Sequence, residues 1–144
     1  MKNLKGIYTA LLTPFTKDGK VNEKELAKLV RHNLDLGVDG FYVCGSTAEA
    51  LMLSAEERME IMSIVKDTAG DANLIVHIGS LSERDAHKLA AYARELSYDL
   101  ISSVAPFKFS FSEIRDYYVR LAENAGMKML VSTKRGKQNH FGAL

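Results

Sequence analysis

The sequence predicts an α/β fold of four strand-helix units and a fifth strand, in the pattern of the N-terminal half of a (β/α)8 barrel. Three observations predict it. Short β-type runs alternate with longer amphipathic runs along residues 7–131. Each amphipathic run opens on a side-chain cap followed three residues later by an acid. Glycine, or once serine, stands where each run must turn into the next strand.

The elements follow in order. The first strand is Ile7–Leu12, and the helix after it is capped by Asn22 ahead of Glu25, with Leu26, Leu29, Val30 and Leu34 at spacings of three and four. Gly37 ends it. The second strand, Val38–Val43, leads to a helix capped by Ser54 ahead of Glu57 and stopped at Gly70. The third, Leu74–Ile78, leads to a helix capped by Ser82 ahead of Asp85, with Ala86, Leu89, Ala90, Ala93 and Leu96 on one face. Ser97 takes the place of the stop glycine there, and a left-handed serine costs on the order of 1 kcal/mol. The fourth strand, Asp99–Val104, precedes a helix capped by Ser110 ahead of Glu113 and stopped at Gly126, and the fifth strand is Met127–Val131. Residues 1–131 are thus expected as a partial barrel and residues 132–144 as an irregular tail.

Strand, helix, strand at this spacing implies right-handed crossovers and a parallel sheet. A doubly wound open sheet and a barrel both satisfy it. Thr9, Thr13, Tyr42, His77, Ser102 and Ser103 make the strands more polar than a sheet covered on both faces, which favours the barrel. A complete one needs about 250 residues, so 144 residues are half of one.

Composition narrows the function. A net charge of +1, with 26% charged residues of both signs, gives no broad field for nucleic acid or acidic lipid, so a ligand is sought in a pocket. Cys44 is the sole cysteine, which excludes an intramolecular disulfide and fits a reducing, cytoplasmic location. The apolar run after Lys2 and Lys5 is broken by Thr9, Thr13 and Pro14, so neither a secretory signal nor a membrane span is expected.

Ligands of parallel sheets bind at the C-terminal strand ends. The segments "TPF", "GSTAE", "GS" (Gly79, Ser80) and "APF" fall there. Gly45 permits a tight turn, and Ser46 and Thr47 then present hydroxyls and N–H groups that suit a carboxylate; ordinary turn chemistry is an equal reading of the same residues. No P-loop or G-x-G-x-x-G motif is present, and His32, His77, His87 and His140 lack ligand spacing, so no metal is expected. His77 reads as a hydrogen-bonded core histidine and Cys44 as a small buried residue. Tyr117 and Tyr118 share a helix with Ile114 and Leu121 and read as packing groups, and "KRGKQNH" as a frayed basic terminus.

Together "LLTPF", "GFYVCGSTAEALMLSAEER" and "PFKFSFSEIRDYY" resemble the N-terminal half of the N-acetylneuraminate lyases, within the dihydrodipicolinate synthase-like superfamily of class I aldolases. The resemblance runs from about Leu4 to Val131. It implies a (β/α)8 barrel that cleaves N-acetylneuraminate to N-acetylmannosamine and pyruvate through a lysine Schiff base, without metal or organic cofactor, usually as a homotetramer. It implies that Ser46 and Thr47 hold the keto acid's carboxylate, with Gly45 and Glu49 supporting the loop.

The departures are specific. The family's loop reads Gly-Gly-Ser-Thr-Gly-Glu, so Cys44 and Ala48 replace two glycines, and positive φ at either strains the loop. Lys108 follows Phe107 where the family has two intervening tyrosines. "STKRGKQNHFGAL" follows Val131 where the family has Tyr-Asn-Ile-Pro, whose tyrosine relays protons, and the Schiff-base lysine of the sixth strand has no counterpart. No catalytic residue is therefore expected in this chain. A reading frame that shifts or stops near Val131 is the expected cause of the change. Lys128, Lys134 and Lys137 are poor substitutes, lacking an apolar pocket to depress an amine. Beside the lyase reading stand a non-catalytic fragment or binding module that associates through open strand edges, and a dihydrodipicolinate synthase-like keto-acid aldolase.

Overall fold

A computed structural model describes residues 4–104, 110–135 and 138–143, with side chains described as far as residue 131. Five strands alternate with four helices: β1 (Tyr8–Ala10), α1 (Glu23–Asp35), β2 (Gly40–Val43), α2 (Ala55–Thr68), β3 (Asn73–His77), α3 (Glu83–Glu95), β4 (Leu100–Val104), α4 (Phe111–Ala125) and β5 (Met129–Arg135). A further strand, β6 (Gln138–Ala143), follows.

All four predicted caps form. Asn22, Ser54, Ser82 and Ser110 each accept from the backbone N–H three residues on, and Ser54 and Ser110 complete reciprocal capping boxes with Glu57 and Glu113. These bonds satisfy donors that the first helical turn leaves open. At the far ends Gly37, Gly70 and Gly126 have φ of 82°, 57° and 59°.

Ser97 adopts φ 57°, the left-handed value expected of its position, and is exposed. Serine there carries backbone strain with no packing return. Ser97→Gly is expected to raise the unfolding free energy by about 1 kcal/mol in a urea titration, the left-handed penalty less the extra chain entropy of glycine.

β1 to β5 pair in parallel and in chain order. Each helix packs on the next, α1 on α2, α2 on α3, α3 on α4. A doubly wound sheet reverses its strand order midway, so this singly wound order is that of a barrel wall. Strand side chains alternate between two faces. Phe41, Val43, Leu74, Val76, Ile78, Ile101 and Met129 face the helices, none more than 2% exposed, and form one core with Leu26, Val30, Ile61, Met62, Val65, Leu89 and Leu121. The opposite face carries Tyr42, His77 and Ser102, three of the polar residues that favoured a barrel, whereas Thr9 and Ser103 turn toward the helices, bonding to Asn33 and Tyr117.

The expected irregular tail is corrected. β5 continues to Arg135, and β6 pairs antiparallel along it, from Leu130 opposite Ala143 to Arg135 opposite Gln138. The cause is the open ladder of a last parallel strand, whose N–H and C=O groups need partners. The fifth-strand edge expected to be open is therefore occupied, whereas no described strand pairs with the outer edge of β1. Among the described residues no helix is long and apolar enough to cross a membrane.

Candidate functional site

The C-terminal end of β2 makes a compact turn. Cys44 leaves the strand at φ 54°, Gly45 follows in an extended conformation, and Ser46–Ala48 close one turn of 3-10 helix. Ala48 N–H donates to Gly45 at 3.1 Å and Glu49 N–H to Ser46 at 3.0 Å, and Glu49, also at φ 54°, redirects the chain into a second such turn, Ala50–Met52. The positive φ anticipated at Cys44 is present. Ala48 is spared, and Glu49 takes the strain instead.

Ser46 and Thr47 are exposed side by side on this turn, and neither hydroxyl bonds to another described residue. The 3-10 bonds use the carbonyls of Gly45 and Ser46 but leave the Ser46 and Thr47 N–H groups unspent. Two hydroxyls and two N–H groups are thus left without a bond to the described residues at one strand end, donors of the kind that can hold a small anion. Glu49 is exposed, and it supports the loop through its backbone: its carbonyl accepts from Met52 N–H at 2.8 Å.

Gly45 serves a different purpose from the tight turn expected of it. Its backbone is ordinary, with φ −83°. A Cβ there would lie 2.6 Å from a carbon of the Tyr42 ring, so glycine is required by close approach. That contact seats Tyr42 under the turn, where its hydroxyl donates to Ser102 Oγ at 2.8 Å. From the β1 side, Thr13 Oγ1 donates to the carbonyl of Ala48 at 3.0 Å, which ties the "TPF" loop to the turn.

Arg58 is a buried neighbour of the turn that sequence reasoning missed. It lies 2% exposed on α2, with Nη1 donating to the carbonyl of Gly79 at 2.9 Å and Nη2 to that of His77 at 2.5 Å. Its Nε has no partner among the described residues. Cys44 is fully buried, its thiol directed at the carbonyl of Arg58 at 3.9 Å, and burial pushes that thiol up to about 11. The cysteine is a packed, protonated residue, as read from sequence.

His77 is likewise a core histidine. Its Nε2 accepts from Val104 N–H at 3.2 Å, and burial, with the Arg58 cation beside it, lowers it to about 4. Nδ1 makes no hydrogen bond among the described residues, although the Cys44 backbone lies close enough to favour the protonated ring slightly. Tyr117 and Tyr118 are buried at 5% and 4%, both anchored on Ser103. The "APF" segment and Lys108 lie outside the described residues. Among those described, no group of three His, Cys, Asp or Glu residues is placed to hold a metal, and every described lysine side chain is at least partly exposed.

A cleft of about 550 Å3 opens elsewhere, between Leu12, Thr13 and Pro14 and the α1 face of Glu25, Lys28, Leu29 and His32. Lys28 pairs there with Glu25 at 2.7 Å, and Thr13, which lines the cleft, also bonds to the carbonyl of Ala48.

Comparison with known proteins agrees with this architecture. The N-acetylneuraminate lyase of Pasteurella multocida is 52% identical over 135 residues, covering 91% of this chain and 46% of that protein. A solved structure from Clostridium difficile in complex with mannosamine superposes with a TM-score of 0.87 at 42% identity, covering 90% of this chain and 46% of that one. The Fusobacterium nucleatum N-acetylneuraminate lyase complexed with pyruvate superposes with a TM-score of 0.84 at 43% identity, covering 89% and 44%. The chain spans about half the length of these relatives, and the half it matches is the N-terminal part of a lyase barrel. The model of the dihydrodipicolinate synthetase family matches residues 3–134. The chain therefore belongs to the dihydrodipicolinate synthetase family.

Proposed function

We propose that this chain is the carboxylate-binding half of an N-acetylneuraminate lyase-type keto-acid aldolase. Ser46 and Thr47 hold the carboxylate of pyruvate or of the sialic acid, and Gly45 and Glu49 shape the loop. The observation that carries the reading is the exposed, unspent Ser46–Thr47 pair at the end of β2, in a chain 43% identical to a lyase solved with pyruvate. A carboxylate offers two oxygens to these neighbouring donors, and charge-assisted hydrogen bonds of this kind are the strong ones.

Aldol cleavage on this plan needs a neutral amine that attacks the keto carbon, and an iminium that accepts the electrons of the broken C–C bond. A tyrosine carries the proton of the substrate hydroxyl. The described lysines are all at least partly exposed, and none is enclosed in an apolar pocket. The chain alone thus binds without turning over, and the amine and the relay tyrosine belong to the other half of the barrel. A cytoplasmic setting suits its single buried thiol.

Borohydride reduction of the isolated chain with pyruvate, followed by mass spectrometry, tests the division of labour. An unmodified mass is expected. A reduced pyruvyl adduct on any lysine would show that the chain carries its own Schiff-base amine.

A further inference from the structure

We infer that Arg58 is the positioning residue of the Gly45–Thr47 turn, locking the end of β2 to the end of β3. The inference deepens the carboxylate role proposed for that turn and takes its meaning from it.

The turn needs outside support. It leaves β2 through a left-handed Cys44 and consists of three residues of 3-10 helix, whose hydrogen bonds align poorly. The structure supplies two ties. On the β1 side Thr13 Oγ1 holds the Ala48 carbonyl. On the β3 side the tie runs through α2: the backbone carbonyl of Arg58 faces the Cys44 thiol at 3.9 Å, and the Arg58 guanidinium fork fixes that point of the helix to the carbonyls of His77 and Gly79. One residue of α2 thereby fixes the residue before Gly45 relative to the next strand end.

The chemistry of Arg58 points the same way. It shares a helix face with Ile61, Met62 and Val65, all core residues, at spacings of three, four and seven. An apolar side chain there would fill the core without desolvating a cation, and no described carboxylate forms an ion pair with this guanidinium. A planar donor that reaches two carbonyls at once is what arginine adds and lysine does not.

The test is hydrogen exchange of the 15N-labelled full chain without ligand, read at the Ala48, Glu49 and Ala50 amides, which close the turn. Arg58→Met is compared with Leu121→Val, a control in the α4 core. The expected result is that protection at these three amides falls about tenfold further in Arg58→Met than in the control, the factor for losing one charge-assisted hydrogen bond. Arg58→Lys, which keeps the charge and one bond, is expected to fall between, and it carries the test alone if Arg58→Met does not fold. Equal protection in the Arg58 variants and the control would overturn the inference. A wild-type chain that passes this test yet fails to bind pyruvate would overturn the carboxylate reading and leave the positioning role standing.

Discussion

Lowering the pH from 7 to 5 is expected to remove about 2 kcal/mol from the unfolding free energy through His77 alone, rising to about 3 kcal/mol by pH 4. The folded-state value of this histidine is depressed from 6.5 to about 4, because burial and the neighbouring Arg58 both oppose a second positive charge. The sign follows from proton binding. The unfolded chain takes up a proton as pH falls through 6.5 and the folded chain does not, so stability is whole above 6.5 and lost between 6.5 and about 4. The exposed carboxylates Glu56, Glu83 and Glu113, held low by Lys88, Arg120 and Ser110, add their losses only at the acid end of that window. Urea midpoints of the wild type and His77→Gln at pH 7 and pH 5 isolate the effect. The variant, whose amide oxygen can still accept from Val104 N–H, should lack the His77 share of the slope. An unchanged slope would mean that His77 is charged inside the fold.

Gly45→Ala is expected to cost on the order of 1–3 kcal/mol, a large effect for one methyl group on a surface-facing loop. The added carbon would meet the Tyr42 ring at 2.6 Å, inside any normal contact, and the ring is backed by the β4 residue Ser102, itself fully buried. Either the ring swings out and its hydroxyl leaves Ser102, or the turn lifts away from β2. Both outcomes displace Ser46 and Thr47. The urea midpoint reports the cost, and the amide shifts of Ser46 and Thr47 report the displacement. Wild-type stability with unchanged shifts would show that the ring does not seat the turn.

Much of this was legible in the sequence because it is local. A cap needs only a hydroxyl or amide and an acid three residues on, and Asn22, Ser54, Ser82 and Ser110 bond as their spacing required. The left-handed Ser97 was visible because three glycines held the equivalent place. Cys44 and Ala48 were both suspect because the loop of the family that the sequence resembles has glycine at both places, but φ depends on how the turn closes, and the strain fell on Cys44 and Glu49. Gly45 was read for backbone freedom when its role is to admit a ring, a contact between residues three apart that no propensity encodes. Arg58 escaped because a charged helical residue reads as solvated, although its spacing to Ile61, Met62 and Val65 placed it on the apolar face. β6 escaped because "RGKQNHFGAL" is polar, although Gly136-Lys137 between two short runs is a hairpin signal.

The central claim is that Ser46 and Thr47 grip the carboxylate of a keto acid, and titrating pyruvate into the 15N-labelled chain tests it most directly. The account predicts saturable shifts centred on the Ser46 and Thr47 amides with a dissociation constant on the order of millimolar, as a small ligand held at one end would give. It predicts that Ser46→Ala combined with Thr47→Val abolishes them while the remaining amides keep their positions. Shifts that are absent at these residues, or that persist unchanged in the double variant, would contradict it.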